Sequence, residues 1–279
     1  MGQDFSDAAL VLLGHGTALN PNSAAPVYQY AAEFRRRKLF VEVREAFWKQ
    51  APRVLHVLPN LTAPRVFIVP LFISEGYFSE EVIPSELGFR GQGQDSWSRM
   101  LRRGGQTLYY CKPIGTHHRM TEVLLARAHD IVEKFPGPRP AKPEETTLFI
   151  AGHGTEQNQN SRAAIERQVA LLGERHLFAA VHAVFLEEEP RIAHCYELAK
   201  TRNIIVVPFF ISDGLHTQED IPVLLGEPGS NVCEQLKGSQ PTWCNPTERQ
   251  GKLVWYTPSV GTAPQVADVI LERVHEAAG

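Results

Sequence analysis

Cysteine is scarce, with four residues (Cys111, Cys195, Cys233 and Cys244) and no Cys-x-x-Cys pair. That scatter indicates neither a disulfide framework nor a thiolate zinc site, with pairing or metal binding by Cys233 and Cys244 as the minor alternative. Long hydrophobic runs are also missing. The longest apolar stretches, Val66 to Ile73 and Ile204 to Ile211, each contain a proline and fall far short of the ~20 residues that span a bilayer. No charge sign dominates: Lys+Arg 28 against Asp+Glu 31 gives a net charge of -3. Such a chain has no overall positive field for nucleic acid or an anionic membrane surface. Asp4 and Asp7 stand where a secretory signal would carry basic residues, and Ala8 to Leu13 is too short for a signal core. A soluble, cytoplasmic protein is expected.

What remains is ordinary globular material, 43% apolar and 21% charged, ample for a core. At ~100 to 200 residues per domain, the length favours two domains. The most informative feature is an internal duplication. Gly-His-Gly-Thr at 14–17 recurs at 152–155, and the register then holds without a gap. From Gly14/Gly152 to Gly88/Gly226, 28 of 75 aligned positions are identical, against a chance level of roughly 6%. Among the matches are Asn22/Asn160, Phe40/Phe178, Pro52/Pro190, Val69-Pro70 with Val207-Pro208, and Phe72-Ile73-Ser74-x-Gly76 with Phe210-Ile211-Ser212-x-Gly214. Later, Ile114-Gly115-Thr116 matches Val260-Gly261-Thr262 after eight extra residues in the second copy.

Each copy alternates strand and helix. In the first, strands are predicted at 9–13, 39–47, 65–73 and 106–111, with helices near 24–38, 52–63, 80–87 and 118–132. Nearly continuous apolar runs such as Val-Phe-Ile-Val-Pro-Leu-Phe-Ile indicate a parallel sheet buried on both faces. The expected domains are 1–134 and 146–279, joined by a proline-rich linker at 135–145. Segments 89–105 and 227–250, rich in Gly, Ser, Gln and Pro, are expected as loops.

Ligands of open parallel sheets gather beyond the carboxyl ends of the strands. In the second copy His153 follows the first strand, Glu187 the second and His216 the third. Two imidazoles and a carboxylate make an open set for a borderline divalent ion, and the same groups accept protons. The first copy is an internal control. His15 persists there, but Lys49 replaces Glu187 and Phe78 replaces His216. An ammonium repels a cation and a phenyl ring has no lone pair, so one site is expected, in the second copy. His15 is read as structural, contacting its own turn or the interface, with a residual role in substrate entry as the alternative. Glu187 also opens the run Glu187-Glu188-Glu189, which taken alone would be solvated surface.

These residues resemble the class II tetrapyrrole chelatases of the CbiX and SirB type. The resemblance covers roughly 9–134 and 146–277. It is carried by Gly-His-Gly at 14–16 and 152–154, Phe185-Leu186-Glu187, and Pro208-Phe-Phe-Ile-x-x-Gly-x-His216-x-x-x-Asp220-Ile221-Pro222. It implies two duplicated chelatase-like, flavodoxin-like α/β/α domains, each with a parallel four-stranded sheet, facing a central cleft; the first would carry a degenerate site. It also implies a metal chelatase that inserts Co2+ or Fe2+ into sirohydrochlorin or a related tetrapyrrole, in cobalamin or siroheme biosynthesis. His153, Glu187 and His216 would serve as metal ligands and catalytic residues. The divalent metal (Co2+, Fe2+ or Ni2+) is then a substrate, no organic cofactor is expected, and a monomer suffices because the chain is already duplicated. A noncatalytic tetrapyrrole or metal carrier with the same fold is the alternative, separated by turnover.

Insertion releases two pyrrole protons while the ion sheds water, so proton acceptors are needed beside a weak metal site. Neutral imidazole, protonating near about 6.5, suits both roles, and activity is expected to fall on acidification through about pH 6. The carboxylates of the ring call for cations, with Arg119, Arg162 and Arg191 as candidates, and Phe209, Phe210 and Leu215 as flat apolar contacts.

Overall fold

The computed structural model describes residues 3–17, 21–90, 97–154 and 159–279. Thr155 of the second Gly-His-Gly-Thr turn and residues 91–96 of the first long loop lie outside them. In the first repeat β1 (Ala8–Gly14) leads through α1 (Ala25–Arg37) to β2 (Glu42–Phe47) and the one-turn α2 (Val54–Val57). Next come β3 (Arg65–Pro70), a π-helical turn at Phe78–Val82 running into α3 (Ile83–Glu86), β4 (Met100–Arg103), β5 (Gln106–Tyr110) and α4 (Met120–Lys134). The second repeat follows with β6 (Thr146–Gly152), α5 (Gln159–Gly173), β7 (Ala180–Phe185), α6 (Cys195–Leu198) and β8 (Asn203–Pro208). A second π-helical turn at His216–Asp220 runs into α7 (Ile221–Leu224), followed by α8 (Gly229–Lys237), β9 (Thr247–Arg249), β10 (Lys252–Tyr256) and α9 (Val266–Ala278).

Two five-stranded sheets result, ordered β2-β1-β3-β5-β4 and β7-β6-β8-β10-β9. The four expected parallel strands are present in each. The fifth, β4 or β9, is an antiparallel edge strand drawn from a segment expected to be loop. The 227–250 segment likewise holds α8 as well as β9. Glycine and serine obscured these short elements, which sit on a sheet edge where one face and a few ladder bonds suffice. β1 is buried along its whole length. Ala9, Val11 and Leu13 join one core cluster with Val66, Ile68 and Ile83, while Leu10 and Leu12, pointing the other way, are equally buried. Each such leucine contributes about 1.5–3 kcal/mol relative to exposure.

The compact units do not coincide with the repeats. One unit comprises Met1–His117 with Pro264–Gly279, the other His118–Ala263. The expected boundaries of 134 and 146 therefore give way to an exchange of closing helices. In the second unit, Arg127 of α4 donates to the carbonyl of Ser259 (2.8 Å) and to Thr262 Oγ1 (2.6 Å). In the first, the equivalent Arg273 of α9 donates to the carbonyl of Pro113 (2.9 Å) and to Thr116 Oγ1 (2.7 Å). Residues 135–145, expected as a linker, lie inside the second unit, where Trp255 Nε1 donates to the Phe135 carbonyl at 2.8 Å. The apolar stripe of α4 (Met120, Val123, Leu124, Ala128, Ile131) shows that the helix is buried, not which of two equivalent sheets it covers.

Candidate metal centre

His153 is the first residue beyond β6. Gly152 before it has no room for a side chain, since a Cβ there would meet Ile165 Cδ1 at 2.0 Å. Gly154 after it has φ +65, a conformation L side chains rarely adopt. This tight turn aims the Nδ1 of His153 at the Gly154 carbonyl, 2.9 Å away. A carbonyl only accepts, so Nδ1 carries the proton and the lone pair resides on Nε2.

Glu187 follows β7, and its backbone N–H donates to the His153 carbonyl at 3.1 Å. The acidic run is split among different partners. Glu188 pairs with Arg162 at 3.0 Å, and Glu189 approaches His194 at 3.1 Å and Arg191 at 3.8 Å. The Glu187 carboxylate instead lies 3.7 Å from His153 Nδ1, too far for a hydrogen bond. It is exposed and carries no arginine or lysine partner among the described residues. The run is therefore not uniform solvated surface.

His216 opens the second π-helical turn. The turn is pinned by Thr217, whose Oγ1 accepts from the Gly214 N–H at 2.9 Å, and by buried Tyr256, whose hydroxyl donates to the Thr217 carbonyl at 2.6 Å. π-helical turns often occur at functional sites. The His216 ring stands edge-on to that of His153, centroids 4.8 Å apart at 89°. Its Nδ1 lies 2.6 Å from Asp220 Oδ2. A carboxylate accepting from Nδ1 again leaves Nε2 as the free ligand nitrogen. Asp220 is a candidate site residue that the sequence reading quoted only as part of a motif. Its signal was the i, i+4 spacing from His216, with the paired loss of both residues in the first repeat, where Phe78 and Val82 stand.

Glu187 and the His216 ring thus both adjoin His153, but the ligand atoms of the three are not gathered within 4.8 Å of one another. Among the described residues, the group of three whose donor atoms all lie within 4.8 Å of one another is His129, Asp130 and Glu133, exposed on α4. An open set suits an ion that must leave. Of the arginine candidates, Arg162 is held by Glu166, Glu188 and the Glu189 carbonyl, and Arg191 donates to the Leu186 carbonyl. Arg119 sits at the N-cap of α4. Phe209 is core, whereas Phe210 lies 6.1 Å from the His216 ring and Leu215 is exposed. At the corresponding place in the first unit, His15 Nδ1 lies 3.0 Å from the Gly16 carbonyl and its ring packs on Trp48 and Phe78.

The family model CbiX matches residues 9–131 and 147–277. The chain belongs to the CbiX family. Within it, the chain is similar to a Halobacterium salinarum protein named "Probable sirohydrochlorin cobaltochelatase", 41% identical over 281 residues, covering 96% of this chain and 91% of that one. A Methanopyrus kandleri protein named "Sirohydrochlorin cobaltochelatase" is 29% identical over 140 residues, covering 47% of this chain and 96% of its own. That relative is the length of one repeat. Among solved structures, a multi-domain Deinococcus radiodurans protein with structural similarity to chelatases gives a TM-score of 0.77 at 28% identity, covering 99% of this chain. This CbiX-family chain spans 55% of that protein's length. SirB from Bacillus subtilis with Fe3+ gives 0.67 at 18% identity, covering 98% of this chain and 96% of that one, a likeness of fold. No helix among the described residues is long and apolar enough to cross a membrane.

Proposed function

We propose that the protein inserts a divalent first-row metal ion into sirohydrochlorin, with Co(II) as the metal. The observation that carries this reading is the pair of imidazoles whose Nδ1 atoms face the Gly154 carbonyl and the Asp220 carboxylate, so that both present Nε2 as a ligand nitrogen. The metal and the ring are both substrates. Cobalt rests on the names of the Halobacterium and Methanopyrus relatives, because His and Glu ligands suit several first-row ions.

The chemistry follows from the geometry. His153 and His216 receive the hydrated ion at Nε2 and displace part of its water. Glu187, exposed and without an arginine or lysine partner among the described residues, offsets the ion's charge and accepts one pyrrole proton as the ring nitrogens take the metal, while the second pyrrole proton passes to solvent water. Asp220 holds the His216 ring and stabilises positive charge on it. We place the reaction in the cytoplasm, with a single chain as the working unit. A spectrophotometric insertion assay with sirohydrochlorin and Co(II), Fe(II) or Ni(II) tests the reading. Turnover with Co(II) supports it, and stoichiometric binding without turnover would make the protein a carrier.

A further inference from the structure

The first unit keeps the turn that carries His15 but surrounds it differently. Where the second repeat has Leu186, Glu187, Leu215 and His216, the first has Trp48, Lys49, Tyr77 and Phe78. The Trp48 and Phe78 rings lie 4.6 Å apart, and Tyr77 extends the wall at 5.6 Å from Phe78. Trp48 is anchored through Nε1, which donates to Glu86 Oε2 at 3.1 Å. The outer rings face water: Tyr77 is 63% exposed and Phe78 40%. The Lys49 ammonium stands over two rings of the wall, 4.8 Å from the Trp48 centroid and 5.4 Å from that of Phe78. It has no carboxylate partner among the described residues.

This arrangement contributes little to stability, because an exposed cation–π contact is weak, while exposed aromatic side chains forfeit burial. Contiguous exposed apolar surface of this kind marks ligand sites. The chemistry of a fitting ligand can be read from the wall. Aromatic faces favour a flat conjugated ring, the ammonium favours a carboxylate at its edge, and the same ammonium disfavours a metal cation.

We propose that Trp48, Lys49, Tyr77 and Phe78 form a binding site in the first unit for a flat conjugated ring bearing carboxylate arms, in its metal-free state. The inference rests on the reading of the protein as a tetrapyrrole chelatase, which supplies a ligand of this chemistry. The two repeats have then specialised. The second unit keeps the metal ligands, and the first has exchanged them for a surface that holds the ring without competing for the ion.

The test is a titration of the full chain with metal-free sirohydrochlorin in the presence of a chelator, followed by absorbance. Lys49→Glu should weaken binding by about tenfold or more, the loss of one charge-assisted contact. Phe78→Ala and Tyr77→Ala should each weaken it by about threefold or more. His216→Ala should leave it within about twofold, and Lys49→Glu should not weaken the binding of Co(II) alone. Lys49 and Tyr77 lie outside the core, so their variants leave it intact, and near-UV dichroism confirms the fold of each. Binding unchanged within about twofold in both Lys49→Glu and Phe78→Ala would overturn the proposal. Its fate is separable from that of the chelatase reading. A parent protein that binds the metal-free ring through these residues yet never inserts Co(II) retains the site and loses the function, whereas normal insertion with unchanged variants does the reverse.

Discussion

His216 Nδ1 and Asp220 Oδ2 lie 2.6 Å apart across one turn, and the first repeat has lost both residues together, with Phe78 and Val82 in their places. Had Asp220 served only the turn itself, it would be retained in the first repeat, which keeps the same π-helical geometry at Phe78–Val82. Its carboxylate accepts from the imidazole Nδ1, which leaves Nε2 outward. Asp220→Ala should lower insertion about 10- to 100-fold, as for other carboxylates behind a metal-ligating histidine. Asp220→Asn, which keeps an acceptor oxygen without the charge, should fall between that variant and the parent. Steady-state insertion of Co(II) measures both, with metal-free ring binding as the control.

The repeat also sets an expectation for the histidines. His153→Ala and His216→Ala each remove a ligand nitrogen and should cost about 10²-fold or more in insertion rate, the lower range for losing a positioned acid–base or ligand group. Glu187→Gln should cost a similar amount through proton acceptance, with weaker metal binding. His15→Ala, whose ring packs on Trp48 and Phe78, should retain most of the rate at saturating ring concentration. Equal losses in His15→Ala, His153→Ala and His216→Ala would show that the metal site is not confined to the second unit.

Tyr110 and Tyr256 occupy equivalent strands, yet their hydroxyls differ. Tyr256 donates to the Thr217 carbonyl inside the His216 turn at 2.6 Å, whereas the buried Tyr110 hydroxyl has no hydrogen-bond partner among the described residues. Burial raises both phenols far above their usual range. Tyr256→Phe should therefore destabilise the protein by about 1–2 kcal/mol, since a buried carbonyl is left unsatisfied. Tyr110→Phe should be neutral or slightly stabilising. Urea denaturation of the two variants distinguishes them, and Tyr256→Phe alone should also weaken Co(II) binding.

Much of this was legible before folding. The duplication located every parallel strand, because the apolar runs of β1, β3, β6 and β8 need no tertiary information to be recognised. Subtracting one copy from the other singled out Glu187 and His216, and the structure brings them to His153. Two things were not legible. The edge strands β4 and β9 are short and lie beside turn residues, so local pattern understated them. The exchange of α4 and α9 was invisible because both helices carry an equivalent arginine, Arg127 and Arg273, for equivalent carbonyls. Local chemistry that is identical in two places cannot specify which place a helix occupies. Asp220 belongs to a third kind: it stood in the recognised motif, but its role follows from a hydrogen bond, not from spacing alone.

His15 provides a prediction with a definite sign. Burial lowers its pKa most, the Gly16 carbonyl raises it, and the Lys49 ammonium lowers it further, for a net depression below the ordinary histidine value. Its ring should therefore titrate below about 6.5 in the folded protein. Between the folded and ordinary values the unfolded chain binds the extra proton, so the folded state loses stability as pH falls through that window and regains it above. Lys49→Glu replaces a repelling charge by an attracting one and should move the His15 midpoint upward. Ring-proton NMR titration of the parent and the variant reads this directly. A parent midpoint at or above the ordinary value would mean that the ring is not buried as described, and one that stays put in Lys49→Glu would mean that the ammonium does not stand close to the imidazole in solution, so that the aromatic wall of the first unit would lose its cation.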